Sequence, residues 1–151
     1  MKKLLFVALS VLLLQSVAKS QTKQDSLSIK ETVANYIEGW YSADASRMEK
    51  GLHKDLAKRG IVPSRDGKNT EMLKASYTEM VSWTGQKPNQ LKDDDALKNQ
   101  LKISITEIGV NIAIVKSISP EFIDYLHLAK IGGEWKILNA IWEPNYKAIR
   151  K

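Results

Sequence analysis

The sequence predicts an α+β fold, in which helices come first and an antiparallel sheet follows. Apolar residues recur at helical spacing as far as about residue 83, and from residue 101 onward they alternate with polar ones. Turn-forming residues separate the alternating segments at Ile108-Gly109, Ser119-Pro120 and Gly132-Gly133. Helices segregated to one face of an antiparallel sheet are the α+β arrangement, and 151 residues suffice for one such domain. The predicted element order is α-α-β-α-β-β-β-β.

The first 20 residues have the features of a secretory signal peptide. Two lysines precede an apolar run, Leu4–Leu14, and Ala18-Lys19-Ser20 is a small-x-small site of the kind that signal peptidase accepts. A transmembrane anchor is disfavoured because eleven helical residues span only about 16 Å, roughly half of a hydrocarbon core. We therefore expect cleavage between Ser20 and Gln21, a periplasmic or secreted location in a bacterium, and a single domain over residues 21–151.

The composition excludes several kinds of site and partner. The chain has no cysteine, so thiol nucleophiles, thiolate metal sites and disulfides are ruled out. An exported chain without disulfides must be stabilised by its apolar core. The chain has 23 basic and 17 acidic residues, and loss of the three lysines in the signal segment lowers the net charge from +6 to +3. This mild, scattered excess does not favour nucleic-acid binding.

Two helices are predicted before the first extended segment. Ser28 and Glu31 have the spacing of a capping box at the start of the first helix, and Asp25 or Ser26 could instead cap it one turn earlier. The second helix, about Ala45–Leu52, has Met48 and Leu52 as an apolar pair on one face. The buried stripe of the first helix is expected to contain Ile29, Val33, Tyr36, Ile37, Trp40 and Tyr41.

A short extended segment and a third helix are predicted for the middle of the chain. The extended segment, "LAKRGIVPS", ends at Pro63, and "SRDGKN" is a turn. Asn69 or Thr70 is expected to cap the third helix, and Gly85 to end it. Residues 86–99 are expected to be the least ordered part of the chain. The inner face of the third helix is expected to contain Met72, Leu73, Tyr77, Met80, Val81 and Trp83.

The last third of the chain predicts a four-strand antiparallel meander. Its four strands are expected at "LKISITEI", "VNIAIVKSI", "FIDYLHLAKI" and "EWKILNAIW". Each alternates in polarity and is followed or preceded by a turn, which is typical of strands joined by hairpins.

Two segments of the chain resemble a known family. The stretches "ETVANYIEGWYSADASRMEKGLHKDLAKRG" and "DYLHLAKIGGEWKILNAIWEP" are similar to the putative lumazine-binding group of the nuclear-transport-factor-two-like superfamily. SnoaL-like cyclases and ketosteroid isomerases belong to the same superfamily, and the resemblance extends over roughly residues 26–144. It implies a cone-shaped, cystatin-like fold, in which a strongly bent antiparallel sheet wraps around a long N-terminal helix and encloses an apolar pocket. Because this superfamily supports many activities, the fold does not specify a reaction.

Aromatic residues are expected to line the pocket. The chain has four Trp and five Tyr, and such rings stack on flat compounds such as lumazine, although most of them could equally be ordinary core. Trp135, directly after a turn, is expected to close the base of the pocket. The residues expected at a ligand are Tyr36, Trp40, Met80, Trp83 and Asn139, of which Asn139 either orients the ligand or bonds to the backbone.

Asp124 and His53 are the candidates for acid–base catalysis. Asp124 is the same type of residue as the carboxylate base of ketosteroid isomerases, or it bonds a neighbouring strand or a helix end. His53 follows the second helix, where it either reaches the pocket rim or interacts with the helix dipole. Strand alternation places His127 on the opposite face from Asp124, so these two residues cannot form a dyad.

No metal or cofactor site is expected. Asp93-Asp94-Asp95 lacks the alternate ligands and the glycine of a calcium loop. The two histidines are far apart in the sequence and have no clustered carboxylates, which disfavours a zinc site. The sequence also lacks a glycine-rich phosphate loop and a GxSxG motif.

Three functions remain open. The leading hypothesis is a secreted protein that binds a flat, mostly apolar ring compound and lacks strong catalytic machinery. One alternative is an isomerase, dehydratase or cyclase that uses Asp124 or His53. The other is a protein-interaction module, with a homodimer formed through the outer sheet face from Ile103 to Ile114. We expect no nucleic-acid partner, and no membrane attachment once the signal is cleaved.

Overall fold

The computed structural model describes residues 23–88, 97 and 100–149 of the chain. The signal segment and Asp93–Asp95 lie outside the described residues. No described helix is long and apolar enough to cross a membrane. The elements are, in order, helix α1 (23–42), helix α2 (Ala45–Gly51), strands β1 (Leu52–Pro63) and β2 (Thr70–Ala75), helix α3 (Tyr77–Gln86), strands β3 (Lys102–Ile108), β4 (Ile112–Ile118), β5 (Phe122–Ile131) and β6 (Glu134–Pro144), and the short helix α4 (Tyr146–Ile149).

Six strands form one curled sheet in the order β2-β1-β6-β5-β4-β3. Strands β3 to β6 make the expected antiparallel meander, and β1 joins it in parallel with β6. The pairing shifts register in β1–β6, β3–β4 and β5–β6, and such bulges bend a sheet and increase its twist. The α+β class predicted from the sequence is confirmed, with the apolar face of the bent sheet packed on α1.

Helix α1 supplies the inner layer of the core. Ile29 and Val33 are fully buried, and the stripe expected from the sequence continues through Tyr36, Ile37 and Tyr41. The expected starts at Ser28, Asp25 or Ser26 are all wrong, because the helix already includes residue 23 and these residues lie inside it. The stripe was predictable because burial on one helix face repeats with the helical period.

Helix α2 crosses α1 at close range through Gly51. A Cβ atom at Gly51 would lie 2.9 Å from both the Thr32 carbonyl oxygen and the Tyr36 backbone nitrogen. A glycine at this point lets the two backbones touch, and the chain then leaves the helix directly into β1 at Leu52. The second helix is therefore one residue shorter than expected.

The segment Thr70–Ala75 is a strand, and the prediction that it begins a third helix is wrong. It pairs antiparallel with β1 across a turn in which Gly67 has a φ of 69°. Helix α3 begins after it, capped by Ser76, whose hydroxyl accepts from the Glu79 N–H while the Glu79 carboxylate accepts from the Ser76 N–H. The capping-box spacing of Ser76 and Glu79 is visible in the sequence, seven residues after Asn69 and six after Thr70, the two caps that were predicted.

A partly buried ion pair closes the base of the cone. The Lys130 Nζ donates to Asp25 Oδ1 at 2.7 Å, and the Trp135 Nε1 donates to the same oxygen at 3.1 Å. The Trp135 carbonyl oxygen in turn accepts from the Thr32 hydroxyl at 3.0 Å. Trp135 is 3% exposed, and its two hydrogen bonds join α1 to the β5–β6 hairpin.

Replacing Asp25 with asparagine is expected to lower the free energy of unfolding by about 2 kcal/mol at pH 7. The hydrogen bonds from Lys130 and then Trp135 lower the pKa of the Asp25 carboxyl, so folding stabilises its ionised form. This contribution is present above the carboxyl's unfolded pKa and is lost as the pH falls through the lower folded pKa. The difference between wild type and Asp25→Asn in urea unfolding should therefore shrink below about pH 4.

The matched control is Asp55→Asn, because the Asp55 side chain is 87% exposed. It should change the free energy of unfolding by less than about 0.5 kcal/mol. If the two variants unfold alike, or if the Asp25 difference persists at low pH, the stabilising role of this ion pair is wrong.

Candidate ligand-binding site

A cavity of about 320 Å³ lies between α1 and the curled sheet. Its volume falls at the lower end of the range for small-molecule sites. Residues from α1, β1, β2, α3, β5 and β6 line it, together with Ser119 from the turn between β4 and β5. Its aromatic residues are Tyr36, Trp40, Tyr41, Trp83, Phe122 and Trp142.

Four of the five residues expected at a ligand line this cavity. Tyr36 and Trp40 reach it from α1, and Met80 and Trp83 reach it from α3. Tyr36 and Met80 are buried, whereas Trp83 is 45% exposed and lies at the mouth. The structure therefore brings these residues together around one space, and their contact with a ligand stays a prediction.

Asn139 lies on the opposite side of the sheet from the cavity. Strict alternation from the buried Ile137 would point Asn139 inward. The β5–β6 pairing shifts register there, with Leu138 as the extra residue, so Ala140 is buried and Asn139 is exposed. The same shift turns Trp142 into the cavity. Because of this one-residue bulge, Asn139 faces away from the cavity and Trp142 faces into it.

His53 does not line the cavity either. It is the second residue of β1, because α2 ends at Gly51 and leaves no helix end for the imidazole to occupy. Its Nδ1 accepts from the Asp55 backbone N–H at 3.2 Å and lies 3.7 Å from the Asp55 Oδ2. These contacts are local to an exposed stretch of β1, so His53 is not placed for chemistry in the cavity.

Asp124, Tyr36 and Lys58 form a polar group at the inner end of the cavity, here called the floor cluster. The Tyr36 hydroxyl donates to Asp124 Oδ1 at 3.0 Å, and the Lys58 Nζ lies 3.5 Å from the same oxygen. The Lys58 Nζ also donates to the Tyr36 hydroxyl oxygen. Asp124 is 1% exposed and the Lys58 side chain 12% exposed, so the cluster is a dehydrated ion pair bridged by a phenol.

Burial shifts the titration of two members of the floor cluster. It raises the pKa of Tyr36 well above its usual range, and the Asp124 carboxylate adds to this effect. Burial also lowers the pKa of Lys58, although the Asp124 carboxylate acts in the opposite direction. Tyr36 therefore remains a protonated donor, while Lys58 loses its proton more readily than an exposed lysine does. The cluster offers a ligand a donor, an acceptor and an amine.

The sequence analysis missed Lys58. Its Nζ lies 4.8 Å from the centroid of the Tyr36 ring and 5.3 Å from that of Trp142. Gly60, on the same face of β1, leaves room for Trp142, because a Cβ at Gly60 would lie 2.3 Å from the indole. The alternation of Leu56, Lys58 and Gly60 within "LAKRGIVPS" is the signal that places Lys58 on the inner face.

Aromatic contacts hold the wall of the cavity in place. The Phe122 and Trp142 rings meet edge to face, with centroids 5.0 Å apart and an interplanar angle of 84°. The Tyr41 hydroxyl donates to Ser119 Oγ at 3.2 Å and accepts from the Glu121 N–H at 3.1 Å. Burial raises the pKa of Tyr41 to about 12, so this hydroxyl is a structural donor and stays protonated.

The mouth of the cavity has an apolar rim beside a cation. Leu73 of β2 is 46% exposed and faces the cavity together with Trp83. The Lys87 Nζ donates to the Trp40 carbonyl oxygen at 2.8 Å and lies 4.5 Å from the centroid of the Trp40 ring. Lys87 therefore holds the end of α3 against the end of α1, where the mouth opens.

The outer face of the sheet carries a second concavity, of about 420 Å³. His127 and Asn139, directly opposite each other on β5 and β6, both line it. Ile112 is 68% exposed, Ile114 is exposed as well, and both line this concavity. Neighbouring exposed apolar side chains of this kind are typical of interaction surfaces.

Among the residues that the structure describes, no three or more His, Cys, Asp or Glu side chains are grouped so as to hold a metal ion. The floor cluster has a single carboxylate, and its lysine would repel a cation. Its polar atoms are suited to an organic ligand.

Residues 24–143 match the model of one protein family, described as "Putative lumazine-binding". The chain belongs to this family. The match covers nearly all of α1 and the sheet, all of α2 and α3, and every cavity residue named above, so the family assignment and the site concern the same domain. The comparison with curated proteins finds no match.

Several solved structures share the fold of this lumazine-binding family member. An NTF2-like protein of unknown function from Silicibacter pomeroyi is 15% identical, with a TM-score of 0.64, and the match covers 82% of this chain and 98% of that one. A second, from Shewanella baltica, is 18% identical, with a TM-score of 0.57 and coverage of 81% and 94%. An NTF2-like protein with a cystatin-like fold from Novosphingobium aromaticivorans is 12% identical, with a TM-score of 0.56 and coverage of 86% and 88%. At these identities the likeness establishes the NTF2-like, cystatin-like fold.

Proposed function

We propose that this protein binds a flat, largely apolar ring compound in the cavity between α1 and the sheet. The observation that carries the proposal is the arrangement of the cavity itself. Six aromatic residues form its sides, and one compact polar cluster lies at its inner end. Aromatic walls stack on flat rings, and a few convergent polar groups fix the orientation of a ligand.

The floor cluster supports a ligand that has a hydrogen-bond acceptor next to a donor. The Lys58 Nζ can donate to the ligand, and the Asp124 carboxylate can accept from it. The contacts that Tyr36 and Lys58 make with Asp124 are both to Oδ1, so we expect the donor of the ligand to bind at Oδ2. A heterobicycle with a ring carbonyl and a ring N–H, such as the lumazine in the family's name, has this pattern on one edge.

The test is mass spectrometry of the small molecules that remain with the protein after purification from its own host. The proposal expects a ring compound at a stoichiometry approaching one per chain, released on denaturation. Lumazine added to ligand-free protein should also quench tryptophan fluorescence saturably. Purified protein that carries no compound and shows no saturable quenching by flat heterocycles would argue against a binding function.

We further propose that the protein acts in the periplasm or outside a bacterial cell. The support is the basic start, the apolar run Leu4–Leu14 and the Ala18-Lys19-Ser20 site at the beginning of the chain. The N-terminus of protein isolated from the host should be Gln21. A cytoplasmic chain that retains residues 1–20 would contradict this location.

A second candidate function is catalysis of proton transfer by Asp124. The observation that favours it is that Asp124 is buried in the same cavity as the aromatic residues, whereas His53 is not. Such an enzyme would remove a proton next to a ligand carbonyl, as an isomerase or dehydratase requires. Exchange of that proton for deuterium, present in wild type and absent in Asp124→Asn, would establish it, and equal rates would exclude it.

We also propose that the outer sheet face joins two copies of the chain. The support is two exposed apolar side chains on that face, Ile112 and Ile114, which line a concavity. Ile103, which was expected on the same face, instead packs against the core. Light scattering after gel filtration should give a dimer mass that changes to a monomer mass in Ile112→Lys, because a buried lysine in a symmetric interface would be unpaired. A wild-type monomer mass at all concentrations would contradict this interface.

A further inference from the structure

We propose that Lys58 captures ring compounds that carry an aldehyde or ketone, by forming a Schiff base inside the cavity. This inference rests on the proposed function and names the chemical class of the ligand: the ring stacks in the aromatic cavity, and its carbonyl carbon bonds to the Lys58 nitrogen. Lysine amines are the nucleophiles that proteins use for this chemistry, and burial in an apolar pocket activates them.

The position of Lys58 supports this role. Its Nζ is inside the cavity, 4.8 Å from the Tyr36 ring centroid and 5.3 Å from the Trp142 ring centroid. A flat ligand stacked against these rings would hold a ring substituent next to the amine, and this proximity replaces a bimolecular encounter. Lys74 also lines the cavity, but it is exposed on β2 and has the solvation of a surface lysine.

The neighbours of Lys58 supply the proton transfers that the reaction needs. Asp124 Oδ1 lies 3.5 Å from the Lys58 Nζ and can accept an ammonium proton, which frees the lone pair. The nitrogen then attacks the carbonyl carbon, a C–N bond forms, and the C=O π electrons move to oxygen. The Tyr36 hydroxyl contacts both Lys58 and Asp124, so it can pass one proton from the new nitrogen centre to that oxygen.

Loss of water completes the bond and restores the charges of the cluster. Asp124 returns its proton to the hydroxyl, which leaves as water while the nitrogen lone pair forms the C=N bond. The net change is that an ammonium and a carbonyl become an N-protonated imine and water, with no proton gained or lost. A cation therefore faces the Asp124 carboxylate before and after the reaction, and the buried pair is never left with one uncompensated charge.

The experiment uses 2-naphthaldehyde and sodium cyanoborohydride on the mature wild-type protein. Reduction makes the imine permanent, and intact mass spectrometry should show one addition per chain, equal to the probe less one oxygen atom. Peptide mapping should place it on Lys58, and labelling there should be at least about tenfold faster than on Lys74. The Lys58→Arg variant keeps the positive charge but forms no imine, so the fast addition should disappear.

A second probe separates this inference from the proposed function. 2-Naphthalenemethanol has the same ring and no carbonyl, and its binding is followed by tryptophan fluorescence. If the alcohol binds in the cavity while the aldehyde labels Lys58 no faster than Lys74, the Schiff base is wrong and the binding function stands. If neither probe binds, both proposals fail. Fast, Lys58-specific labelling that excess alcohol suppresses supports both.

Discussion

Replacing Asp124 with alanine is expected to lower the free energy of unfolding by about 3–5 kcal/mol. Asp124 is 1% exposed, and its Oδ1 lies 3.5 Å from the Lys58 Nζ. The substitution leaves Lys58 in an apolar site without its counter-charge and removes the acceptor of the Tyr36 hydroxyl. Breaking one side of a buried ion pair is among the most damaging single changes, and urea unfolding measures its effect.

A double variant separates this effect from a simple loss of packing. Asp124→Leu combined with Lys58→Met removes both charges and keeps the volume of the site. The double variant is expected to be more stable than Asp124→Ala, since no charge remains buried alone. If the double variant is as unstable as the single one, or if Asp124→Ala unfolds like wild type, the ion pair does not stabilise the fold as described.

The pH dependence of the same variant gives an independent check. Burial lowers the pKa of Lys58 in the folded protein, and loss of the Asp124 carboxylate removes the charge that opposes this shift. Between the lowered folded pKa and the usual unfolded value, near 10.4, the unfolded chain binds more protons, so stability rises with pH. The deficit of Asp124→Ala relative to wild type should therefore be smaller at about pH 10 than at pH 7.

Replacing Trp83 with alanine is expected to weaken lumazine binding by about 5- to 150-fold. One stacked aromatic side chain contributes about 1–3 kcal/mol to the binding of a flat base, and Trp83 faces the cavity at its mouth. Because Trp83 is 45% exposed, its removal should change the free energy of unfolding little. Isothermal titration calorimetry measures the change in affinity and urea unfolding the change in stability.

Tyr125 provides the matched control for Trp83. It is 47% exposed, nearly the same as Trp83, but it lies on the outer face of β5 and does not line the cavity. Tyr125→Ala should leave lumazine affinity within about twofold of wild type, because the ligand does not reach that face. Equal loss of affinity in the two variants would mean that the ligand is not held between α1 and the sheet.

The parts of the fold that the sequence predicted are those in which burial repeats with the period of the element. The stripe of α1 from Ile29 to Tyr41 and the alternation in β4 and β5 follow this rule directly. The same rule brought Tyr36, Trp40, Met80 and Trp83 into one cavity. A side chain on the helix face that lies against the sheet is directed into the space between the helix and the sheet.

The features that the sequence analysis placed wrongly or missed depend on contacts between distant segments of the chain. Strand β2 is exposed along nearly its whole length, and it is held by backbone hydrogen bonds to β1, which leave no polarity pattern in the sequence. Asn139 turned outward because a bulge at Leu138 breaks the alternation, and a bulge is set by the pairing of two strands. Lys58 was missed because its burial depends on a counter-charge, Asp124, that is distant in sequence.

The central claim is that this cavity is a ligand site, and NMR of the four tryptophan indoles tests it most directly. Trp40, Trp83 and Trp142 line the cavity, whereas Trp135 is buried at the base and its Nε1 donates to Asp25. The indole resonances are assigned with single Trp→Phe variants and followed during titration with lumazine. We predict saturable shifts of the three cavity indoles and an unchanged Trp135 resonance; no saturable shift, or a shift of Trp135 alone, would contradict the account.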